Sequence, residues 1–339
     1  MNSRQLTRLA RQFGVRAKRI IQVKSGVYHL VTPAGSHYCL KKMRYAPSRL
    51  RWMDRVLRRL RKRGFPAIAW RNPRGAAGHP LFALPTPRSS PFILTPWIVG
   101  KQPSPASKAD LKACAQALAT FHIAGRKAAS PAAGAYCVLG KWPSKLRSHE
   151  AFLQRQIRRA RQNRLAMPLN KVLQKYGPEL LDRAERAMGL LKGSDYKSLC
   201  RKAAANGTLC HGDSGPKNFV ITSQGVYLID FETLRIDLPV YDLYRMIRLS
   251  CKNKGWQFDT ARAILDGYES VSKLRRADYD MLKAWLLFPH KAVKLLRHCS
   301  RLGEAGQRRI AQTLRSVIAD ERKLAPLLDK LDSYAKKDR

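Results

Sequence analysis

The sequence predicts an α+β, bilobal chain in which a small, mainly β N-lobe with one helix precedes a larger, mainly helical C-lobe. Short β-branched and aromatic runs bounded by turn residues occupy the chain ahead of Lys101, and helical periodicity of apolar residues dominates after it. One loop and hairpin, from His211 to Glu232, interrupts the helical half. With 339 residues and 45% hydrophobic composition the chain can bury two modest cores, which argues against disorder. The expected division is residues 1–97 and 98–339, with a hinge near 95–100.

Taken in order, Met1 to Gly14 combines arginines with Leu6, Leu9 and Phe13. It lacks an apolar core long enough for secretion. Its Arg-rich, acid-free character mimics a mitochondrial presequence, but strand signals follow so closely that a short domain helix is the preferred reading. Val27–Thr32 and His37–Met43 read as strands around the Pro33-Ala34-Gly35-Ser36 turn. Ser48 is placed to cap a helix that repeats Leu50, Met53, Leu57 and Leu60 on one face and ends near Gly64. Pro91 to Gly100 reads as a last strand running into the hinge, with Thr95 to Trp97 at its centre. Beyond a Pro- and Ser-rich connection, Leu111, Ala115, Leu118, Ala119 and His122 recur at helical spacing, and His122 reads as structural. Basic helices are expected from Arg147 to Ala205, broken near Pro168, Gly177 and Gly193, and the tail from Phe258 to Lys336 is again helical.

The chemistry concentrates in His211-Gly212-Asp213-Ser214-Gly215-Pro216-Lys217-Asn218, followed by Ile229-Asp230-Phe231-Glu232. Phosphoryl transfer needs one carboxylate near the attacking hydroxyl and separate oxygen ligands for magnesium. Asp213 suits the first role, and Asn218 and Asp230 the second. Between them, Phe219–Thr222 and Val226–Ile229 flank Ser223-Gln224-Gly225, a hairpin signal that brings Asn218 and Asp230 together at its open end. Each fragment alone is also ordinary turn or strand-end chemistry. The combination carries the reading.

This segment resembles the catalytic loop and metal-binding segment of the aminoglycoside phosphotransferase and choline kinase superfamily, which shares the bilobal protein-kinase-like fold. Leu209 to Asn218 together with Ile236-Asp237-Leu238-Pro239-Val240-Tyr241-Asp242-Leu243 most resembles the CotS-type spore coat proteins of endospore-forming bacteria. The resemblance implies ATP and magnesium, with His211 bracing the loop, Asp213 as catalytic base, and Asn218 and Asp230 as metal ligands. Asp242 is then expected to hold the loop backbone.

The resemblance also asks for a lysine on an N-lobe strand. Lys41 shares a strand face with Cys39, which places an ammonium near phosphates and a small residue near adenine, whereas Lys42 faces away. The bland alternative is that both lysines only solubilise the strand. Ser25 and Gly26 form the candidate phosphate-covering turn, with one glycine in place of a glycine-rich run. Thr95 and Trp97 are the candidate adenine contacts, because Pro96 has no amide to donate; Trp97 reads equally as core packing. Active relatives pair the strand lysine with a helix glutamate. Here Asp54 is the sole acidic residue ahead of Asp110, so it either reaches Lys41 or balances Arg51, Arg55 or Arg58 on its own helix.

Sixty-six Lys and Arg against 23 Asp and Glu leave a net charge of +43. That predicts salt-sensitive attraction to polyanions: nucleic acid without sequence preference, an anionic wall polymer or acidic coat protein. Arg55, Arg58, Arg59, Arg61, Lys62 and Arg63 make one dense run, and Arg155, Arg158, Arg159, Arg161 and Arg164 another. The same field repels aminoglycosides and choline unless Glu232 and Asp237 form a local acidic acceptor pocket. The seven cysteines lack Cys-x-x-Cys spacing, so neither a zinc site nor a disulfide framework follows. No stretch approaches the roughly 20 apolar residues of a membrane span. Two expectations result: a kinase acting on a hydroxyl of a small molecule or envelope component, or a kinase-fold scaffold held by its basic surface to anionic spore material. Either is expected to be synthesised in the mother-cell cytoplasm and incorporated into the spore coat.

Overall fold

Alternation of side chains decides the first lobe. In the computed structural model, which describes residues 2–70, 80–299 and 302–337, β1 (Arg19–Lys24), β2 (Val27–Val31), β3 (His37–Lys42) and β4 (Phe92–Pro96) form an antiparallel sheet in that order. Tyr28, Leu30, Leu40 and Phe92 turn to one face, where they close on Leu6, Leu9 and Ala10 of α1 (Ser3–Gln12). Helix α1 begins at Asn2, whose side chain accepts from the Gln5 amide. On the opposite face, Val27 lies across from Lys41 and Cys39 across from Thr95, and all four border a cleft. One period-2 pattern thus supplies both a core and a site wall. Strand β1 was not among the expected strands; it is an edge strand with Arg19, Gln22 and Lys24 exposed, and its charges hide the alternation.

The following helix, α2 (Pro47–Lys62), buries Leu50, Met53, Leu57 and Leu60 as its spacing predicts, and Gly64 beyond it has φ +81°. Its start differs from expectation. Ala46 is the N-cap and Ser48 makes no cap, because Pro47 at the first turn has a preset φ and no N–H to satisfy.

The helical lobe contains α3 (Lys108–Gly125), α4 (Trp142–Arg161), α5 (Met167–Gly193) and α6 (Tyr196–Asn206) ahead of the hairpin β5 (Phe219–Thr222) and β6 (Gly225–Leu228). After it come α7 (Val240–Cys251), α8 (Phe258–Glu269), α9 (Arg276–Leu287), α10 (His290–Cys299), α11 (Glu304–Glu321) and α12 (Ala325–Lys337). The expected break at Gly177 does not occur, and α5 runs unbroken through Gly177 and Pro178. A Cβ at Gly177 would lie 2.8 Å from Ile157 Cγ1, so this glycine lets α5 approach α4 rather than ending a helix. Leu173, Leu180 and the α4 residues Leu153 and Ile157 share one core, and that packing outweighs the local penalty of the internal proline.

Both halves of the chain meet the hairpin. The Ala69 amide donates to Leu228 O at 2.9 Å and the Leu228 amide to Ala67 O at 2.9 Å; on the other strand, Lys101 and Ile221 exchange backbone bonds of 2.8 and 2.9 Å. A Cβ at Gly100 would meet Ile221 O at 2.5 Å, so a side chain there would push the connection off the hairpin.

Candidate active site

The loop between Cys210 and Asn218 is shaped by one buried carboxylate. Asp242, in the first turn of α7, accepts the amides of His211 at 2.6 Å and Gly212 at 2.8 Å and contacts His122 Nε2 at 3.0 Å. Its own carbonyl accepts from Ser214 Oγ at 2.6 Å. Burial pushes the Asp242 carboxyl up, but His122, His211 and the Gly212 amide outweigh it and hold the group below its ordinary value. Gly212 has φ +84°, and a Cβ there would lie 2.4 Å from Thr233 O. Because His211 Nδ1 accepts from the Asp213 amide at 3.3 Å, its Nε2 carries the proton and donates to Ile229 O at 2.9 Å. His211 therefore joins the loop to the strand end that leads into Asp230.

His122, Cys210 and Asp242 bring potential ligand atoms within 4.8 Å of one another. Their bonding is that of a brace. Cys210 Sγ donates to the Asp237 and Leu238 carbonyls at 3.3 Å each, burial pushes its thiol well above the usual range, and His122 Nδ1 meets Tyr268 OH at 2.8 Å. His122 is structural, as its sequence context suggests. Its partnership with Asp242, across 120 residues, carries no local signal.

Asp213, Asn218, Asp230 and Lys41 converge. Asn218 Nδ2 donates to Asp213 O at 2.5 Å and Oδ2 at 3.2 Å, which leaves the Asn218 carbonyl oxygen for another partner. Asp230 follows β6 in the left-handed region, at φ 63° and ψ 63°, an unusual conformation that Asp tolerates better than most residues. Lys41 Nζ lies 2.6 Å from Asp230 Oδ1 and 2.8 Å from Glu232 Oε1. Burial lowers the Lys41 pKa, but these two carboxylates more than reverse it and keep the ammonium charged.

Of the two partnerships expected for Asp54, the one with Lys41 is not made and the one within its own helix is. Asp54 is buried, accepts from Trp70 Nε1 at 3.0 Å and pairs with Arg58 at 3.1 Å, while Lys41 takes Glu232 from the segment after Asp230. Glu232 and Asp237 do not meet as an acidic pocket. Asp237 is in the interior, bonded to Trp142 Nε1 at 3.0 Å and Arg235 at 3.3 Å, and burial pushes its pKa up to about 6.

The cleft between sheet and hairpin has a volume of about 500 Å³. Cys39, Lys41, Thr95 and Trp97 border it, with Asn218, Asp230 and Glu232 on the far side. Trp97 stacks on His29 with ring centroids 4.2 Å apart, and its amide donates to His37 O at 3.1 Å. That amide is already engaged within the sheet. Ser25 and Gly26 lie apart, in a smaller pocket with Lys42 and Arg44, whereas their neighbours Lys24 and Val27 border the main cleft.

Two arginines escaped the sequence reading. Arg245, one turn along α7 from the brace, places Nη2 2.6 Å from Asp213 Oδ1. Arg49 of α2 donates to Leu234 O and, at 3.4 Å, to Gly134 O, which ties that helix to the chain beyond Glu232. Arg245 lies 32 residues from Asp213, but its helical spacing from Asp242 offered a usable clue.

A sheet-borne lysine facing a hairpin-end aspartate across a cleft, beneath a small antiparallel lobe and above a helical one, is the protein-kinase-like arrangement. Residues 19–285 match the model of the phosphotransferase enzyme family, and the chain belongs to that family. It is similar to Spore coat protein S of Bacillus subtilis (strain 168), with 24% identity over 166 residues, covering 48% of this chain and 47% of that protein, so the chain spans about half of this curated relative. Among solved structures it resembles an aminoglycoside phosphotransferase from Alicyclobacillus acidocaldarius subsp. acidocaldarius, with TM-score 0.81, 19% identity and coverage of 98% and 96% of the two chains. It also resembles an AMP-bound spectinomycin phosphotransferase, with TM-score 0.65, 13% identity and coverage of 93% and 95%. At these identities the structural likenesses establish the fold.

Proposed function

We propose that the protein transfers the γ-phosphoryl group of ATP to an alcohol with magnesium, and that it works in the spore coat after synthesis in the mother cell. The observation that carries the chemistry is the convergence of Lys41, Asp230 and Asn218 on one cleft, with Asp213 bonded to Asn218 at its edge. The donor set fits a hard divalent cation: Asp230 supplies carboxylate oxygen, and Asn218, whose nitrogen is occupied by Asp213, can offer only its carbonyl oxygen. Magnesium held there would neutralise charge on the ATP phosphates. Lys41 exchanges its carboxylate partners in part for phosphate oxygen, and Glu232 keeps the ammonium oriented in place of a helix glutamate. Asp213 orients the acceptor hydroxyl and takes its proton. Cys39 and Ile93 offer a small and an apolar surface for the base, with Thr95 and Trp97 at the hinge. Coat location rests on the similarity to Spore coat protein S.

Calorimetry of ATP with and without magnesium tests the reading. Wild type is expected to bind ATP in a magnesium-dependent manner, and Asp230→Ala to lose at least about tenfold in affinity, the equivalent of one charge-assisted contact. Absence of binding in both proteins sinks the kinase reading.

A scaffold reading is favoured by a different observation: Arg155, Arg158, Arg159 and Arg161 on α4, and Arg164 just after it, are all exposed. The run on α2 is less free. Arg59 and Arg63 donate to the carbonyls of Ala128 and Arg126 at 3.3 and 2.6 Å, Arg61 to those of Ile68 and Trp70, and Arg58 pairs with Asp54. Retention on purified spores is therefore expected to fall steeply with added salt and to drop in Arg155→Gln/Arg158→Gln/Arg159→Gln. Retention indifferent to both changes refutes electrostatic anchoring through α4.

A further inference from the structure

The acceptor side of Asp213 is lined by cations. Arg245 Nη2 lies 2.6 Å from Asp213 Oδ1, and Lys217 Nζ 3.7 Å from Oδ2. Lys252 follows α7 two turns beyond Arg245, which puts both on one helix face. Burial, then the charges of Arg248, Lys291, Arg245 and Lys217, hold the Lys252 pKa below its ordinary value. The carboxylates nearby are already committed: Asp213 to Arg245, and Glu321 to Arg183 at 2.9 Å and Arg248 at 2.5 Å. Two buried donors, Arg245 Nε and Arg248 Nη1, have no hydrogen-bond partner among the described residues. The half-buried Arg245 guanidinium, with Nε unpartnered, and flanking ammonium groups are suited to an oxyanion and disfavour a cationic amine.

We propose that the hydroxyl acceptor carries its own acid group, a phosphate in the first instance, which docks on Arg245, Lys252 and Lys217 beside Asp213. This rests on the ATP-dependent reading above. In the acceptor-free protein Arg245 holds Asp213; the acid group of the acceptor takes over Arg245 and releases the carboxylate for the hydroxyl. The acceptor oxygen then forms a bond to the γ-phosphorus as the bond from that phosphorus to the β–γ bridging oxygen breaks. ADP leaves with that electron pair, and the hydroxyl proton passes to Asp213. Recognition and base release are thereby one event.

The test is titration of the full chain, saturated with ADP and magnesium, with glycerol 3-phosphate, glycerate, glycerol and kanamycin. Glycerol 3-phosphate is expected to bind, and Lys252→Glu to weaken it about tenfold or more, as loss of a charge-assisted contact implies. Arg245→Lys, which keeps the charge and removes the fork, should weaken it as well, whereas Arg155→Ala/Arg158→Ala on the exposed face of α4 should leave it unchanged. Tighter binding of glycerate than of glycerol 3-phosphate would retain the anion site and reassign its preferred group to a carboxylate. Tighter binding of glycerol or kanamycin than of either acid, no binding of either acid, or equal weakening by the α4 variant overturns the proposal. If ADP itself fails to bind, the kinase reading falls separately, and the same titrations without nucleotide still decide the anion site.

Discussion

Asp242→Ala is expected to lower folding stability by about 3–5 kcal/mol, the range for removing one member of a buried charged network. The His211 and Gly212 amides lose their acceptor, and His122 loses the carboxylate at its Nε2. Denaturant titration of both proteins measures the difference, and a loss under about 1 kcal/mol, that of one ordinary hydrogen bond, would refute the brace. The pH dependence has a definite sign. The Asp242 pKa is lower in the folded protein than in the unfolded chain, so its stabilisation is complete above about 3.9, the unfolded value. It is lost as pH falls through the lower folded value. The gap between wild type and Asp242→Ala should therefore narrow only in acid.

Asp213→Asn is expected to reduce kcat by about 10²–10⁴-fold, the usual contribution of a positioned general base, while magnesium-dependent ATP affinity stays near that of wild type. Asparagine preserves the shape of the side chain but cannot take the hydroxyl proton. Burial by itself would raise the Asp213 pKa; the Arg245 bond and charge, with Lys217 and Asn218, outweigh it and hold the group below the ordinary carboxylate range. The acid limb of kcat/KM that belongs to Asp213 should accordingly lie below that range, and Arg245→Gln should move it upward. Turnover is followed as ADP release with the acceptor that binds best. A fall in ATP affinity that accounts for the whole loss would move Asp213 from proton transfer to nucleotide binding.

The parts of the site written in short segments were the legible ones. His211 to Glu232 contains the loop, the hairpin and both of its ends within a stretch where spacing dictates geometry. Cys39 and Lys41 were legible because side chains alternate along a strand. The partner of Lys41 was not. By spacing Asp54 fits either Lys41 or an arginine on its own helix, but the choice of Glu232 depends on how the hairpin end sits under β3, and pairing across 191 residues has no local period. Gly177 misled for a related reason: chain chemistry marks glycine as a breaker, whereas Ile157 on another helix makes its small size a packing requirement.

The charge was legible as a total and illegible as a surface. Net charge +43 predicts attraction to anions, but it does not separate Arg61, spent on backbone carbonyls, from Arg158, exposed on α4. Nor does it place Arg245 and Lys217 beside Asp213.

By itself the sequence determined the two-lobed kinase-like fold, the hairpin, and the convergence of Asn218 with Asp230, because these follow from local periodicity and turn chemistry. Tertiary structure alone decided that Glu232 rather than Asp54 meets Lys41, that Asp237 is a core residue, and that Arg245 grips Asp213. These are contacts between elements. Their partners are selected by packing and desolvation, which act through space and leave no fixed spacing along the chain.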